Sequence, residues 1–366
     1  MNRCRWIGAL FFALTAVCLL STDKLPVYGQ DKKEDKKADE KKAEAKADEK
    51  KAEAKADEKK AEEKKAEKAE GKGDALKFTA FDPKSKPFHQ ELTTTTKQTM
   101  KVMGQTVEQN QKQTFIVLWT PKEKDKNGNF VVTQKIVGVK MDIDIGGNKI
   151  AYDSTNQNQP KNPMTDFFSQ LLNKELTFTI SPDKMKVESI EGRNEFIKSL
   201  GDTNPQMQSL LKTILSEDAL KAMAEPTWWA LPEKGVSKGD TWNRESTLNL
   251  GPIGTYNTKF DFTYAGKQSN LDKIDIKTTM KYTAPTDTAG LPFVIKRAEL
   301  KSTEGSGEAL FDASKGRFDN TKVNMKLDGT LVIEVGNMST DISLNQNQES
   351  TSKTTDTNPW GDGKKQ

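Results

Sequence analysis

Few residues in this chain have the types and spacing that chemistry needs. The 366 residues contain one His, His89, and two Cys, Cys4 and Cys18. A Ser-His-Asp triad would have to use His89, and no nucleophile-elbow motif accompanies it. His89 therefore reads as a polar strand residue between Phe88 and Gln90. Asp125, Asn127 and Asn129 mimic the first three ligand positions of a calcium loop. Phe130 stands where that loop needs Gly and Ile136 where it needs Glu, so the segment reads as a hairpin turn. No phosphate-binding loop or dinucleotide fingerprint occurs, and no cofactor is implied. Carboxylates remain. Asp142 and Asp144 share one strand face, and Asp240, Glu245 and Asp261 lie near aromatics. A carboxylate-dependent hydrolase would need two acids ~5–10 Å apart in one pocket. That is the weakest of three functional readings, and the chain is expected not to be an enzyme.

Aromatic residues offer a different chemistry. Trp228-Trp229-Ala230-Leu231-Pro232 leads to Trp242, and Phe167-Phe168 precedes Leu171-Leu172 at helical spacing. Trp228, Trp229, Trp242, Phe167 and Phe168 are candidates either for contact with a sugar or lipid, or for packing the helices onto a sheet. The packing reading is the simpler one.

The chain that must position these residues begins with an address. Arg3 and Arg5 precede the apolar run Trp6 to Leu20, which is short for a bilayer span of ~20 residues. Val27-Tyr28-Gly29 supplies small residues for cleavage after Gly29, so residues 1–29 read as a signal peptide. An uncleaved anchor is the alternative. Lipidation would use Cys18, which follows Val17 rather than a small residue. Both cysteines lie in the leader, so the exported chain would have neither disulfide nor thiolate. The expected location is periplasmic or extracellular, with no integral membrane segment after cleavage.

Residues 30–74 form a charged spacer. KADEKKAEA, KADEKKAEA and KADEKKAEE run in tandem from Lys37 to Glu63, and Asp31 to Asp74 carries 16 Lys against 16 acids. Ala, Glu and Lys favour helix, but no apolar seam wider than Ala exists for a coiled coil. The segment is a helical rod or a disordered polyampholyte, and its balanced charge argues against nucleic acid as a partner.

From Ala75 the texture changes to period two. Leu92–Val102, Thr106–Pro121 and Phe130–Ile145 alternate Lys, Gln and Thr with apolar residues, separated by Gly104 and Asn127-Gly128. This pattern predicts antiparallel strands with one wet face. Helices are expected over Met164–Lys174, Asn194–Leu200 and Pro205–Glu225, and strands again from Trp242. The fold class is α+β, β-dominated: long curved antiparallel sheet in two halves, with a central helical segment packed on or in the concavity. Residues 75–350 form one domain, or two lobes at 75–190 and 240–350 with helices at 191–225 between them. Residues 351–366 read as a disordered tail.

WWALPEKGVSKGDTW and GEALFDASKGRFDNTKVNMKLDG resemble an uncharacterised domain-of-unknown-function family of exported bacterial proteins of the planctomycete type. Leu231, Pro232, Val236, Gly239, Asp240 and Trp242 carry the first motif, and Gly307, Phe311, Asp312, Gly316 and Arg317 the second. The resemblance spans about 75–350 and implies location and fold, with no activity attached. Two further readings stand beside the hydrolase. One is an exported, non-enzymatic envelope protein that binds a hydrophobic or polymeric ligand (lipid or glycan) through a curved sheet. The other is a structural module on a spacer that docks another envelope protein.

Overall fold

Alternating segments become strands wherever their turns carry residues that accept positive φ. In the computed structural model Met103 and Gly104 (φ 50° and 79°) turn the chain between β1 (Phe88–Val102) and β2 (Gln105–Pro121). Gly146 and Gly147 do the same between β3 (Phe130–Ile145) and β4 (Asn148–Asp153). The structure describes residues 75–361 apart from 160–161, 202–204, 287, 289–290, 292 and 336–337. The expected leader (1–29) and spacer (30–74) lie outside the described residues.

After β4 come α1 (Pro163–Leu171), β5 (Glu175–Ser181), β6 (Lys186–Glu191), α2 (Arg193–Gly201), α3 (Pro205–Ile214) and α4 (Glu217–Ala224). The expected single helix over 205–225 is two. Ser216 caps α4 by accepting the Ala219 N–H, and Glu217 and Asp218 favour its positive N-terminus. Then follow β7 (Thr241–Asn249), β8 (Thr255–Gln268), β9 (Leu271–Thr283), β10 (Val294–Asp312), β11 (Arg317–Val335) and β12 (Met338–Thr355).

All twelve strands belong to one antiparallel sheet in the order β6-β5-β3-β2-β1-β12-β11-β10-β9-β8-β7, with β4 beside the second half of β3. The first and last strands join the halves, pairing from His89 with Thr355 to Val102 with Ile342. The two-lobe alternative is thereby replaced by one continuous sheet. The expected tail from 351 is corrected too. β12 runs to Thr355, where Thr351 and Ser352 pair with Thr93 and Leu92, and Trp360 beyond it lies against Gly138 of β3, while residues 362–366 lie outside the described residues. Two predicted strands, Phe293–Thr303 and Glu308–Asp312, fuse into the 19-residue β10, with a register shift between Lys301 and Gly305 absorbing the irregularity.

The sheet curls until its two edge strands, β6 and β7, both pack against α4. The helices lie in the concavity, and their buried Leu210, Leu211, Ile214 and Leu220 join one core with inward residues of both halves. Those include Phe115, Val117 and Trp119 of β2, Phe178 of β5, and Phe260 and Phe262 of β8. The outward face is charged, with Lys97, Lys112, Lys322, Lys326 and Glu349 exposed. A strand array that faced lipid would need apolar residues there instead. No described helix is long and apolar enough to cross a membrane.

Candidate functional site

The concave face has two regions of different chemistry. At the helix end it is an aromatic core. Trp228 is fully buried, edge-on to Phe81 at 5.1 Å and Trp119 at 6.1 Å between ring centres. Its indole N–H donates to the Met185 carbonyl at 2.8 Å. Trp229 is half-buried and meets Phe260 and Phe262 edge-on, while Trp242 stacks on Phe262 at 5.6 Å. The WW step therefore splits, one ring to the first half of the sheet and the next to the second. Phe167 and Phe168 are buried on α1 against each other and Tyr152. None of these five rings forms an exposed platform. A cavity of about 70 Å³ remains between the helices and the sheet, lined by Phe115, Ile136, Leu171, Phe178, Leu220 and Met223 and by none of the five rings. That is well below the ~150 Å³ that admits a benzene-sized guest.

Farther along the same face the chemistry changes. Even positions of β1 and β12 and odd positions of β2 point inward, in register with Phe88 and Trp119. Three successive rows carry polar groups there: Gln109–Gln98–Gln346, Gln111–Thr96–Gln348 and Gln113–Thr94–Ser350. All nine side chains are buried. Apolar residues flank the rows on both sides, with Met141 and Ile143 on β3 and Val323, Met325 and Leu327 on β11. The next row toward the β1–β2 turn is apolar as well, where Met100 faces Leu344. A buried neutral polar belt thus sits inside an apolar frame.

Burial makes hydrogen bonding within the belt obligatory. On β2 Gln109 Nε2 donates to Gln111 Oε1, and Gln111 Nε2 to Gln113 Oε1, both at 3.2 Å. On β12 Gln346 Nε2 donates to Gln348 Oε1 and Gln348 Nε2 to Ser350 Oγ, again at 3.2 Å. The Gln98 and Gln346 Oε1 atoms have no hydrogen-bond partner.

The apolar frame continues into a second cluster of Met280, Tyr282, Leu300, Met325, Leu327 and Leu344. Tyr282 donates its hydroxyl to the Ile253 carbonyl at 2.6 Å, and burial pushes its phenol far up. Burial pushes the Tyr256 phenol, 5.0 Å from the Tyr282 ring, up to about 12. Both stay protonated at any physiological pH.

The carboxylates singled out from the sequence serve turns and ion pairs. Asp144 accepts the Gly147 N–H, Asp240 accepts the Ser237 N–H, and Asp261 pairs with Lys259 at 3.0 Å. Asp142 and Glu245 are exposed. Asp125 accepts the N–H groups of Asn129 and Asn127 at 2.8 Å, an arrangement that closes the hairpin and holds its pKa below the usual carboxylate range. His89 sits on β1 between Thr355 and Leu118 of the neighbouring strands. Among the described residues no group of His, Cys, Asp and Glu has metal-binding geometry.

The belt escaped the sequence reading, which assigned the glutamines and threonines to a wet face. The signal was present: Gln109, Gln111 and Gln113 recur at period two, as do Gln346 and Gln348. In these stretches both faces are polar, so alternation alone does not say which row turns inward.

The chain belongs to a family of unknown function, DUF6263, which matches residues 127–360. No curated protein matches it. Among solved structures, one of lipovitellin titled for its lipid–protein interactions is 10% identical, covers 73% of this chain and has a TM-score of 0.39. This chain spans only 25% of that one. OccK5 (OpdH) of Pseudomonas aeruginosa is 8% identical over 74% of this chain and 98% of its own, with a TM-score of 0.23. Superpositions this loose bear on neither activity nor ligand.

Proposed function

We propose that the protein is an exported, non-enzymatic envelope component that holds an amphipathic ligand against the concave face of its curled sheet. The observation that carries this reading is the buried polar belt inside an apolar frame. A concave surface kept only for stability gains most from an unbroken apolar lining. Nine buried polar side chains in register are costly even where they bond one another, and two of their carbonyl oxygens meet no donor. The helix end offers no place for a ligand, since its rings are consumed by packing and its cavity is too small. The ligand-bearing part of the concavity is therefore the β1–β2–β11–β12 region rather than the tryptophan cluster.

The direct test is native mass spectrometry of the protein purified gently from its own envelope. A co-purifying lipid or glycolipid supports the reading and names the ligand class. A clean apo mass, together with no uptake from mixed-lipid vesicles, overturns it.

A second reading, docking to another envelope protein, draws on a separate feature. Met103, Val335 and Met338 are 82%, 48% and 70% exposed at hairpin ends on the same side of the sheet, because β1 and β12 are neighbours. Apolar tips of this kind suit contact with a partner or with a lipid surface during loading.

A further inference from the structure

The direction of the amide chains in the belt specifies what the belt is short of. Each glutamine of β12 donates to the residue two positions on, from Gln346 to Gln348 to Ser350. A chain in which every amide donates forward leaves its first carbonyl without a donor, and that oxygen is Gln346 Oε1. Turning the Gln346 amide over is no remedy, since its oxygen would then face the oxygen of Gln348. Directly across the β1–β12 pair, Gln98 Oε1 is likewise without a partner. The two side chains are 5% and 4% exposed. A buried acceptor left unmet costs about as much as a lost hydrogen bond, and here two stand side by side on adjacent strands.

Their surroundings select among ligands. The inward side chains of these rows are uncharged, so a carboxylate or phosphate would meet two carbonyl lone pairs with no cation to offset them. An ammonium would be desolvated without a counter-charge. A neutral group that donates two hydrogen bonds has neither penalty. Immediately beyond the pair, Met100 faces Leu344, and Leu327 lies opposite Gln346 on β11. The two acceptors therefore stand at the border between the polar belt and the apolar cluster.

Resting on the reading of the protein as an amphiphile binder, we infer that Gln98 and Gln346 form the headgroup subsite for a neutral, hydroxyl-bearing amphiphile. Two neighbouring hydroxyls donate to the two Oε1 atoms, and the hydrocarbon lies along Met100, Leu344 and Leu327.

The test uses the full chain and three probes with the same hydrocarbon: 1-monoolein, oleate and methyl oleate. They present a diol, an anion and a head without donors. Retention is read by native mass spectrometry after gel filtration, and ligand-free melting by calorimetry. Monoolein is expected to be retained about tenfold better than either of the others, the worth of one or two hydrogen bonds. Gln98→Leu and Gln346→Leu should each bring monoolein down to the level of methyl oleate. The ligand-free melting temperature should hold or rise, because an unmet acceptor is replaced by an apolar group of similar size. Equal retention of all three probes would overturn the headgroup subsite while leaving amphiphile binding intact. A fall in melting temperature in both variants, with monoolein retention unchanged, would assign the two oxygens to structural water and also overturn it. Failure to retain any probe would overturn this subsite. The envelope purification would then show separately whether the broader reading survives.

Discussion

The Glu225 carboxylate accepts the backbone N–H of Val187 at 2.8 Å, so a side chain just after α4 fills a hydrogen-bonding position on the free edge of β6. Lys221 adds its ammonium to the Glu188 carbonyl at 2.8 Å on the same edge. An unpaired strand edge is a template for association, and these side chains cover it where the curl brings β6 and β7 to one helix. Glu225→Ala leaves the Val187 N–H buried without an acceptor, at a cost of ~1–3 kcal/mol. A melting temperature lowered by several degrees is expected, with concentration-dependent light scattering as the edge opens. An unchanged melt would mean that α4 holds the seam through packing alone.

Gly307 on β10 makes a backbone approach that no other residue allows. A Cβ there would lie 2.2 Å from the Lys322 carbonyl oxygen of β11 and 2.9 Å from the Val323 Cα. Neither atom belongs to a flexible side chain, so the strands must part. Gly307→Ala is expected to cost ~1–3 kcal/mol by overpacking. Gly104 is the contrast: its φ of 79° strains any other residue, but nothing lies within 4 Å. Gly104→Ala should cost ~1 kcal/mol from conformation alone. Chemical denaturation of the two variants ranks them, and the reverse order would refute the account.

How much of this was legible in the sequence depended on range. Gly104, Asn127-Gly128 and Gly146-Gly147 announced hairpins because a turn is decided by a few adjacent residues. The helices over α1 and α2 were visible from Phe167, Phe168 and Leu171, and from Phe196, Ile197 and Leu200, all now buried. The pairing of β1 with β12 was not visible. It joins His89 to Thr355, and nothing local in either strand marks so distant a partner. The same pairing decides the site, because Gln98 meets Gln346 only through it. The aromatic candidates pack, as the simpler of their two readings has it, because large rings are what a curled sheet needs to fill its interior. The tail was misread because TSKTTD (351–356) is polar on both faces, although β12 is paired on both sides as far as Lys353 and with β1 as far as Thr355.

Trp360 explains an oddity on the outer face. Ile116 points outward yet is fully buried, beside Gly138 on β3. A Cβ on Gly138 would meet the Trp360 ring at 2.6 Å and Ile116 at 3.1 Å, so the indole lies against this glycine. Lys140 covers the same ring at 4.6 Å from its centre. Trp360→Ala uncovers apolar surface and removes this stacking, and ~2–3 kcal/mol of lost stability is expected. Truncation after Thr355 should cost at least as much. A truncated chain that melts with the wild type would show that the C-terminal segment does not contribute to the fold.

The same segment gives the fold a pH response of defined sign. Asp356 lies beside the Arg317 guanidinium and 3.0 Å from Lys315, and these cations hold its carboxyl below the usual carboxylate range. Arg317 is nearly buried and covers the Phe88 ring at 5.0 Å from its centre. A carboxyl whose pKa is depressed by folding stabilises the native state at pH above its unfolded pKa. That contribution is lost as pH falls through the lower folded value. Asp356 is itself largely exposed, so solvent screening keeps the effect to ~1 kcal/mol or less. Asp356→Asn should therefore melt one or two degrees below the wild type at pH 7. The gap should narrow as pH drops below ~4 and close once the wild-type carboxyl is protonated. High salt should shrink the gap at pH 7, since one partner is exposed. A gap constant from pH 7 to pH 2 would mean that the substitution acts through packing rather than charge.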